Sequence, residues 1–409
     1  IYDATGEPDG DVGTSQTADH GTHVAGIVSA DLDNARGVAG IGQDRVQILP
    51  VTVLAADGSG SLSALISGLA YAAGLDEEQP LQVADVINLS LGASGPLGDE
   101  LEAVFTDIHE AGIAVVASAG NQSTETRCAP VDYPARYPSV IAVGSVHGAS
   151  LTSFEFSFYT ACGTEIDLVA PGGVGAGDGR DFDMILSTKI ESGSSLYLEL
   201  AGTSQAAPHV AGVAALMRAV NSELTPQQIR HILRETAAPA PTTTGPERYG
   251  AGMLNAHAAL AAALSEPYGP FAQNEFSVPP AGSGTEDPDD LSLRLSTRGN
   301  HSEPGRGARR FADEGPQGDE LPRIIITLDR AWFRSTDHAA VEAELLDIAA
   351  RHGLGTLRFA GNRFPSFEVT DAQAGSAELL LQLVDEAHIH DAIYDVPLQL
   401  AGRESGNAR

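Results

Sequence analysis

Across residues 1–264 short apolar runs alternate with stretches of helical periodicity, and this alternation limits the fold more than any other feature. Residues 47–54, 83–89, 114–117 and 140–146 read as buried strands; residues 63–73, 98–110, 208–220 and 226–235 read as helices. Thr225-Pro226-Gln227-Gln228 marks one helix start, with Thr as cap, Pro at the first helical position and Gln three residues after the cap. Strands that alternate with helices imply a mostly parallel sheet covered on both faces, a three-layer α/β domain. Such folds bind ligands in crevices outside the strand ends, so chemistry is expected in the loops there.

Three loop segments carry the residues that chemistry would need. Gly202-Thr203-Ser204-Gln205-Ala206-Ala207-Pro208-His209 places a serine before a helix whose one face is small, with Pro208 suited to a first turn. A helix N-terminus favours negative charge, which suits a nucleophile whose attack creates an oxyanion. Asp19-His20-Gly21-Thr22-His23 supplies a base, without which a serine hydroxyl is a poor nucleophile. Ala117-Ser118-Ala119-Gly120-Asn121 sets an amide just after an apolar strand. Read singly, Ser204 fits a helix cap and Asn121 a turn residue.

Together, in the order His, Asn, Ser, these segments resemble the subtilisin-like serine proteases, or subtilases. Further matching stretches are Leu54-Ala55-Ala56-Asp57-Gly58-Ser59-Gly60, Asn88-Leu89-Ser90-Leu91-Gly92, Tyr133-Pro134-Ala135, Val169-Ala170-Pro171-Gly172 and Tyr249-Gly250-Ala251-Gly252. The resemblance spans residues 1–264 and implies a serine endopeptidase with peptide or protein substrates. It implies Ser204 as nucleophile, His20 as general base and Asn121 as oxyanion donor, with His23 outside the chemistry. It also implies that Gly58, Ser59 and Gly60, and Ser90, Leu91 and Gly92, pair with an extended substrate as added strands. Ser118, Ala119 and Gly120 would line the pocket for the side chain before the scissile bond, and their small size suggests a roomy, apolar-preferring pocket. No Gly-x-Ser-x-Gly elbow is present, which argues against an esterase.

The family's catalytic triad also needs an aspartate on a strand well upstream of the histidine. Here residues 1–19 read as the segment that follows that strand, so the aspartate is expected to lie outside this chain. Asp3 in Ile1-Tyr2-Asp3-Ala4-Thr5-Gly6 echoes the motif loosely, with an extra residue before the glycine. Asp9, Asp11 and Asp19 read as solvated loop acids. The alternative reading is an inactive pseudoprotease, a peptide-binding module that keeps the cleft without competent chemistry.

Acidic residues outnumber basic ones 55 to 23, for a net charge of −32, and Lys189 is the only lysine. So acidic a chain would repel nucleic acid, and no apolar run is long enough to span a membrane. His20 and His23 are three apart, but no Glu completes a His-Glu-x-x-His zinc motif, and no metal is assigned. No cofactor is expected; calcium is common in the family, yet only Asp31, Asp33 and Asn34 form an oxygen-rich group here. Cys128 and Cys162 fit a disulfide, which suits a secreted, extracellular hydrolase.

Residues 265–321 turn polar and rich in Pro and Gly, as in Pro279-Pro280 and Gly282-Ser283-Gly284, and read as a disordered linker. Residues 322–402 then show strand 323–328, helix 337–352, strands 357–359 and 367–369, helix 376–386 and strand 392–400. That β-α-β-β-α-β order suggests a small ferredoxin-like α+β domain. It is similar in length and order to the subtilase propeptide/inhibitor family, a resemblance that would let its last strand reach the peptidase cleft of the same molecule and inhibit in cis; a stabilising or protein-binding module is the alternative reading.

Overall fold

The computed structural model describes residues 2–3, 16–55, 58–75, 83–124, 126–174, 183–192, 195–241, 246–265, 323–328, 338–360, 364–368, 379, 382–383, 386, 389–394 and 397–400. In chain order the elements are β1 (Tyr2–Asp3), α1 (Gln16–Ser29), β2 (Val51–Thr52), β3 (Ser59–Ser61), α2 (Leu62–Ala72), β4 (Val86–Leu89), β5 (Leu91–Gly92) and α3 (Gly98–Glu110). Next come β6 (Ala114–Ser118), β7 (Val140–Ser150), β8 (Ser153–Phe156), β9 (Ile166–Pro171), β10 (Ile185–Ser192) and β11 (Ser195–Leu200). Helices α4 (Thr203–Val220), α5 (Pro226–Glu235), α6 (Pro246–Tyr249) and α7 (Ala256–Leu264) close this part. The last group is β12 (Arg323–Leu328), α8 (His338–His352), β13 (Leu357–Ala360), β14 (Phe364–Glu368), β15 (Ile389–Tyr394) and β16 (Pro397–Leu400).

The central sheet joins β4, β6, β7 and β9 in parallel, with β8 returning antiparallel on the far end of β7. Strand residues alternate between two cores, as a period of two requires. Val115, Ala117, Val140 and Ala142 face a core shared with Leu65, Leu101 and Phe105 of α2 and α3. Ala114, Val116, Ile141 and Val143 face the other, with Ala207, Val210 and Ala214 of α4 and Ile229 of α5. The fold is therefore the expected three-layer α/β arrangement. Asp167 fastens one side: fully buried, it accepts Arg230 Nε at 2.7 Å, Arg234 Nη1 at 2.8 Å and the Ala142 N–H at 3.0 Å. Paired and hydrogen-bonded in this way, its charge is compatible with burial.

Helices α3 and α5 have the expected ends, and α5 carries the full capping box, Thr225 Oγ1 with Gln228 N and Gln228 Oε1 with Thr225 N. Four expectations need correction. The strand foreseen over 47–54 is two residues long, because Ile48 is exposed and Pro50 has no N–H to give a ladder. Helix α4 starts at Thr203, so Pro208 lies inside it and not in its first turn. The carbonyl four residues before Pro208 is that of Ser204, and it accepts the Ser90 hydroxyl at 2.8 Å instead of a helical N–H. Asp19 is no loop acid: it sits in α1 and accepts the Ile190 N–H at 3.0 Å. The run foreseen as one strand over 392–400 is two, β15 and β16, separated ahead of Pro397.

The strands β13-β14-β12-β15 form an antiparallel four-stranded sheet in that order. Ile324, Ile326 and Leu328 bury against Val341, Leu345 and Ile348 of α8, a core separate from the two above. This is the ferredoxin-like strand order, and the sheet also lies against α3. Leu379 and Leu383 belong to this core; most of the expected helix 376–386, and all of residues 266–322, lie outside the described residues. Strand β16 leaves this sheet. It pairs antiparallel with β3, Leu398 opposite Gly60 and Gln399 opposite Ser59, and on its other edge with β5, Leu400 opposite Leu91.

Candidate active site

The site gathers at the C-terminal ends of β4 and β6 and the start of α4. Ser204 is the second residue of α4 and is 2% exposed. Its Oγ donates to the Ser90 carbonyl at 3.4 Å, while the Ser90 hydroxyl donates to the Ser204 carbonyl. The nucleophile candidate is thus held against the segment running from Ser90 into β5.

Asn121 follows the turn at the end of β6. Its Oδ1 accepts both the Thr203 N–H at 2.9 Å and the Thr203 hydroxyl at 2.8 Å, and Thr203 Oγ1 in turn accepts the Gly120 N–H at 3.1 Å. A backbone N–H only donates, so the amide oxygen must face Thr203 and the orientation of Nδ2 is set. The Asn121 Nδ2 lies over Gly202, 3.1 Å from where a side chain there would begin. Beyond Asn121, a disulfide joins Cys128 to Cys162 with Cα atoms 5.8 Å apart, tying this loop to the segment before β9. Both cysteines fall in loops, as expected.

His20 lies on α1, which packs against α4, and is 6% exposed. Burial, and then the neighbouring His23, lower its pKa to about 4, so its imidazole is neutral at ordinary pH. No carboxylate whose side chain the structure describes acts on that ring; the side chains of Asp3, Asp9 and Asp11 are not among them. Asp3 is the second residue of β1, paired in parallel with Thr52; Asp9 and Asp11 lie outside the described residues.

His23 has a structural task that its motif did not reveal. Its Nε2 lies 3.0 Å from both the Ile185 and Leu198 carbonyls, one on each strand of the β10–β11 hairpin. The Ser187 and Thr188 hydroxyls donate back to the carbonyls of His23 and Thr22. The hairpin therefore clamps the helix that carries His20. Gly26 makes the close approach possible, since a Cβ there would lie 2.1 Å from Thr188 Oγ1. The alternation Leu196, Leu198, Leu200 after Gly193 is the sequence signal for this hairpin.

Gly60 and Ser59 lie in or beside β3, and Leu91 and Gly92 form β5; together these flank β16. Ser118, Ala119 and Gly120 continue β6, all buried, with the Ser118 hydroxyl 3.5 Å from the Leu89 carbonyl. Residues 2–252 match the model of the subtilase family of peptidases.

The chain is a subtilase.

It is 38% identical over 244 residues to subtilisin DY of Bacillus licheniformis, covering 59% of this chain and 77% of that protein. Subtilisin of Bacillus pumilus is 37% identical, with 59% and 76% covered. Among solved structures, a protease from Pseudoalteromonas arctica is 36% identical with a TM-score of 0.51, covering 60% of this chain and 70% of that one. Fervidolysin from Fervidobacterium pennivorans, described as a keratinolytic enzyme related to subtilisin, is 25% identical with a TM-score of 0.50, covering 64% and 39%. The subtilase assignment makes this protein a serine endopeptidase acting on peptides or proteins. No helix among the described residues is long and apolar enough to cross a membrane. Of the expected oxygen-rich group, Asn34 Oδ1 accepts the Arg36 N–H, and the described residues contain no group of three or more His, Cys, Asp or Glu side chains placed to hold a metal.

Proposed function

We propose that Ser204 is the nucleophile of this subtilase, His20 its general base and Asn121 its oxyanion donor. Ser204 Oγ attacks the scissile carbonyl carbon as His20 takes the hydroxyl proton. The oxyanion is met by Asn121 Nδ2 and the N–H of Ser204 at the start of α4. Collapse breaks the C–N bond, His20 returning the proton to the leaving amine. Water then attacks the acyl-enzyme, His20 again taking a proton, and Ser204 is released with the new acid. The observation that carries this reading is the shared network of Thr203, Asn121, Ser90 and Ser204, which orients the amide and holds the serine in one small volume.

The substrate backbone is read by residues 58–60 on one edge and 90–92 on the other, by strand addition. β16 pairs with both edges, which supports the further reading that residues 322–402 form a module that inhibits in cis by holding its own strand where substrate would bind. Residues 265–321 are the tether in this account. The disulfide supports secretion, since such bonds persist in oxidising compartments.

A second reading is favoured by one observation. No carboxylate whose side chain the structure describes acts on the imidazole of His20, and the side chains of Asp3, Asp9 and Asp11 are not among them. A peptide-binding pseudoprotease would look the same. A fluorophosphonate probe separates the two: labelling that disappears in Ser204→Ala supports an activated serine. No labelling, either in the full chain or after removal of residues 322–409, would favour the pseudoprotease.

A further inference from the structure

Against Gly120, the residue before Asn121, lies a carboxylate that the chemistry above does not use. Asp132 is only 5% exposed. Its segment runs between the two stretches assigned to substrate. On one side the Asp132 N–H donates to the Ala119 carbonyl at 2.8 Å. On the other, Tyr133 and Ala93 exchange backbone hydrogen bonds at 2.8 and 2.9 Å. The carboxylate fills room left by two glycines. A Cβ on Gly120 would lie 2.3 Å from Asp132 Oδ2, and one on Gly92 would lie 3.8 Å from it. Gly120 also has φ +106°, a conformation that other residues rarely adopt.

Asp132 has no hydrogen bond or ion pair to its carboxylate among the described residues. Arg136, four residues on, is turned to Glu165 at 3.0 Å and lies over the Tyr133 ring. Burial alone raises the Asp132 pKa to about 6, so the group is still largely ionised at neutral pH. An ionised carboxylate buried without a partner is unfavourable in the free protein, and a cation delivered by a ligand would relieve that cost. The residues beside it, Ala119, Gly120 and Gly92, carry no side chain larger than a methyl group.

We propose that Asp132 selects an arginine or lysine side chain immediately before the scissile bond. The inference rests on the endopeptidase reading for the pocket's place in the reaction, and it replaces the apolar preference expected from Ser118, Ala119 and Gly120. A charge-assisted, bidentate contact to arginine would orient that side chain within the pocket.

The test uses the full chain carrying Ser204→Ala, so that binding is read without turnover. Two hexapeptide amides differing only in arginine or leucine at the selected position are titrated by calorimetry. β16 competes equally with both, so their ratio is unaffected by it. The arginine peptide should bind at least about tenfold more tightly, and the near-isosteric Asp132→Asn, in the same background, should bring the ratio close to one. Equal binding, no binding of the arginine peptide, or a ratio unmoved by Asp132→Asn would overturn the assignment. Fluorophosphonate labelling of Ser204 in the unmutated chain is read separately. Its absence beside a preserved arginine preference would count against the catalytic reading and leave the pocket assignment supported.

Discussion

On the Ser204 side of the cleft, position is set by hydrogen bonds among strand-end loops: Asn121 to Thr203, Thr203 to Gly120, and the reciprocal contact of Ser90 with Ser204. On the His20 side, position is set by a hairpin clasped to a helix, through His23, Ser187 and Thr188. The first side is built into the central sheet. The second rests on a helix held between this hairpin and α4, with Gly26 at the closest point to the hairpin. Burial serves them differently as well. It places the serine and the amide in a low-dielectric site, where oriented donors act strongly. The same burial leaves His20 neutral, with its basicity lowered.

The contrast can be broken at several points, in falling order of effect. Ser204→Ala should abolish peptide hydrolysis, with a loss in kcat of about 10⁶; that figure is borrowed from subtilisin itself. Asn121→Ala should lower kcat by about 10²- to 10³-fold with little change in KM, again a subtilisin magnitude. An equal loss shared by KM would mean that the amide binds substrate generally and does not act on the oxyanion. Removing residues 322–409 should raise hydrolysis of a small peptide substrate by about tenfold or more, because a tethered strand competes at high effective concentration. Unchanged activity would sink the cis-inhibition account.

Gly26→Ala should strike the His20 side alone. The added methyl meets Thr188 and Ser187, and overpacking of this kind costs about 1–3 kcal/mol. The denaturant midpoint should fall, and hydrogen exchange should quicken first across 185–200. Uniform loss of protection across β6 and β7 would show that the two sides are not separately held.

The smallest effect is in pH dependence. The base must be neutral to act, so kcat/KM falls as pH drops through the pKa of His20. Burial places that limb near 4, below the ordinary histidine value of 6.5. An acid limb near 7 would mean that a carboxylate acts on the ring. The same shift contributes to stability: the unfolded chain takes up the proton near 6.5 and the folded chain only near 4, so this contribution is lost as pH falls between those values.

Much of this was readable from residues. α5 matched to the residue because its start carries a local signal, the capping box at Thr225, and α3 matched after the break at Gly95-Pro96. The segments of His20, Asn121 and Ser204 stood out because their motifs are short and each sits beside an apolar run. Other features depend on partners distant in sequence. His23 reads as a spare histidine until the hairpin, with Ile185 162 residues away, is laid against it. Pro208 reads as a first-turn residue until Ser90 is seen to take the carbonyl it leaves unpaired. Asp132 carried no signal of its own in the sequence, and its surroundings appear only once Gly92 and Gly120 close on either side of it. β16 reads as the end of β15, although Pro397, without an N–H, was the signal for a break.

The most direct test of the central claim is fluorophosphonate labelling of the full chain, of the form lacking residues 322–409, and of Ser204→Ala in each. The account predicts weak labelling of the full chain, stronger labelling once the C-terminal segment is gone, and none in either Ser204→Ala form. Labelling that survives Ser204→Ala, or that is absent from every form, would contradict it.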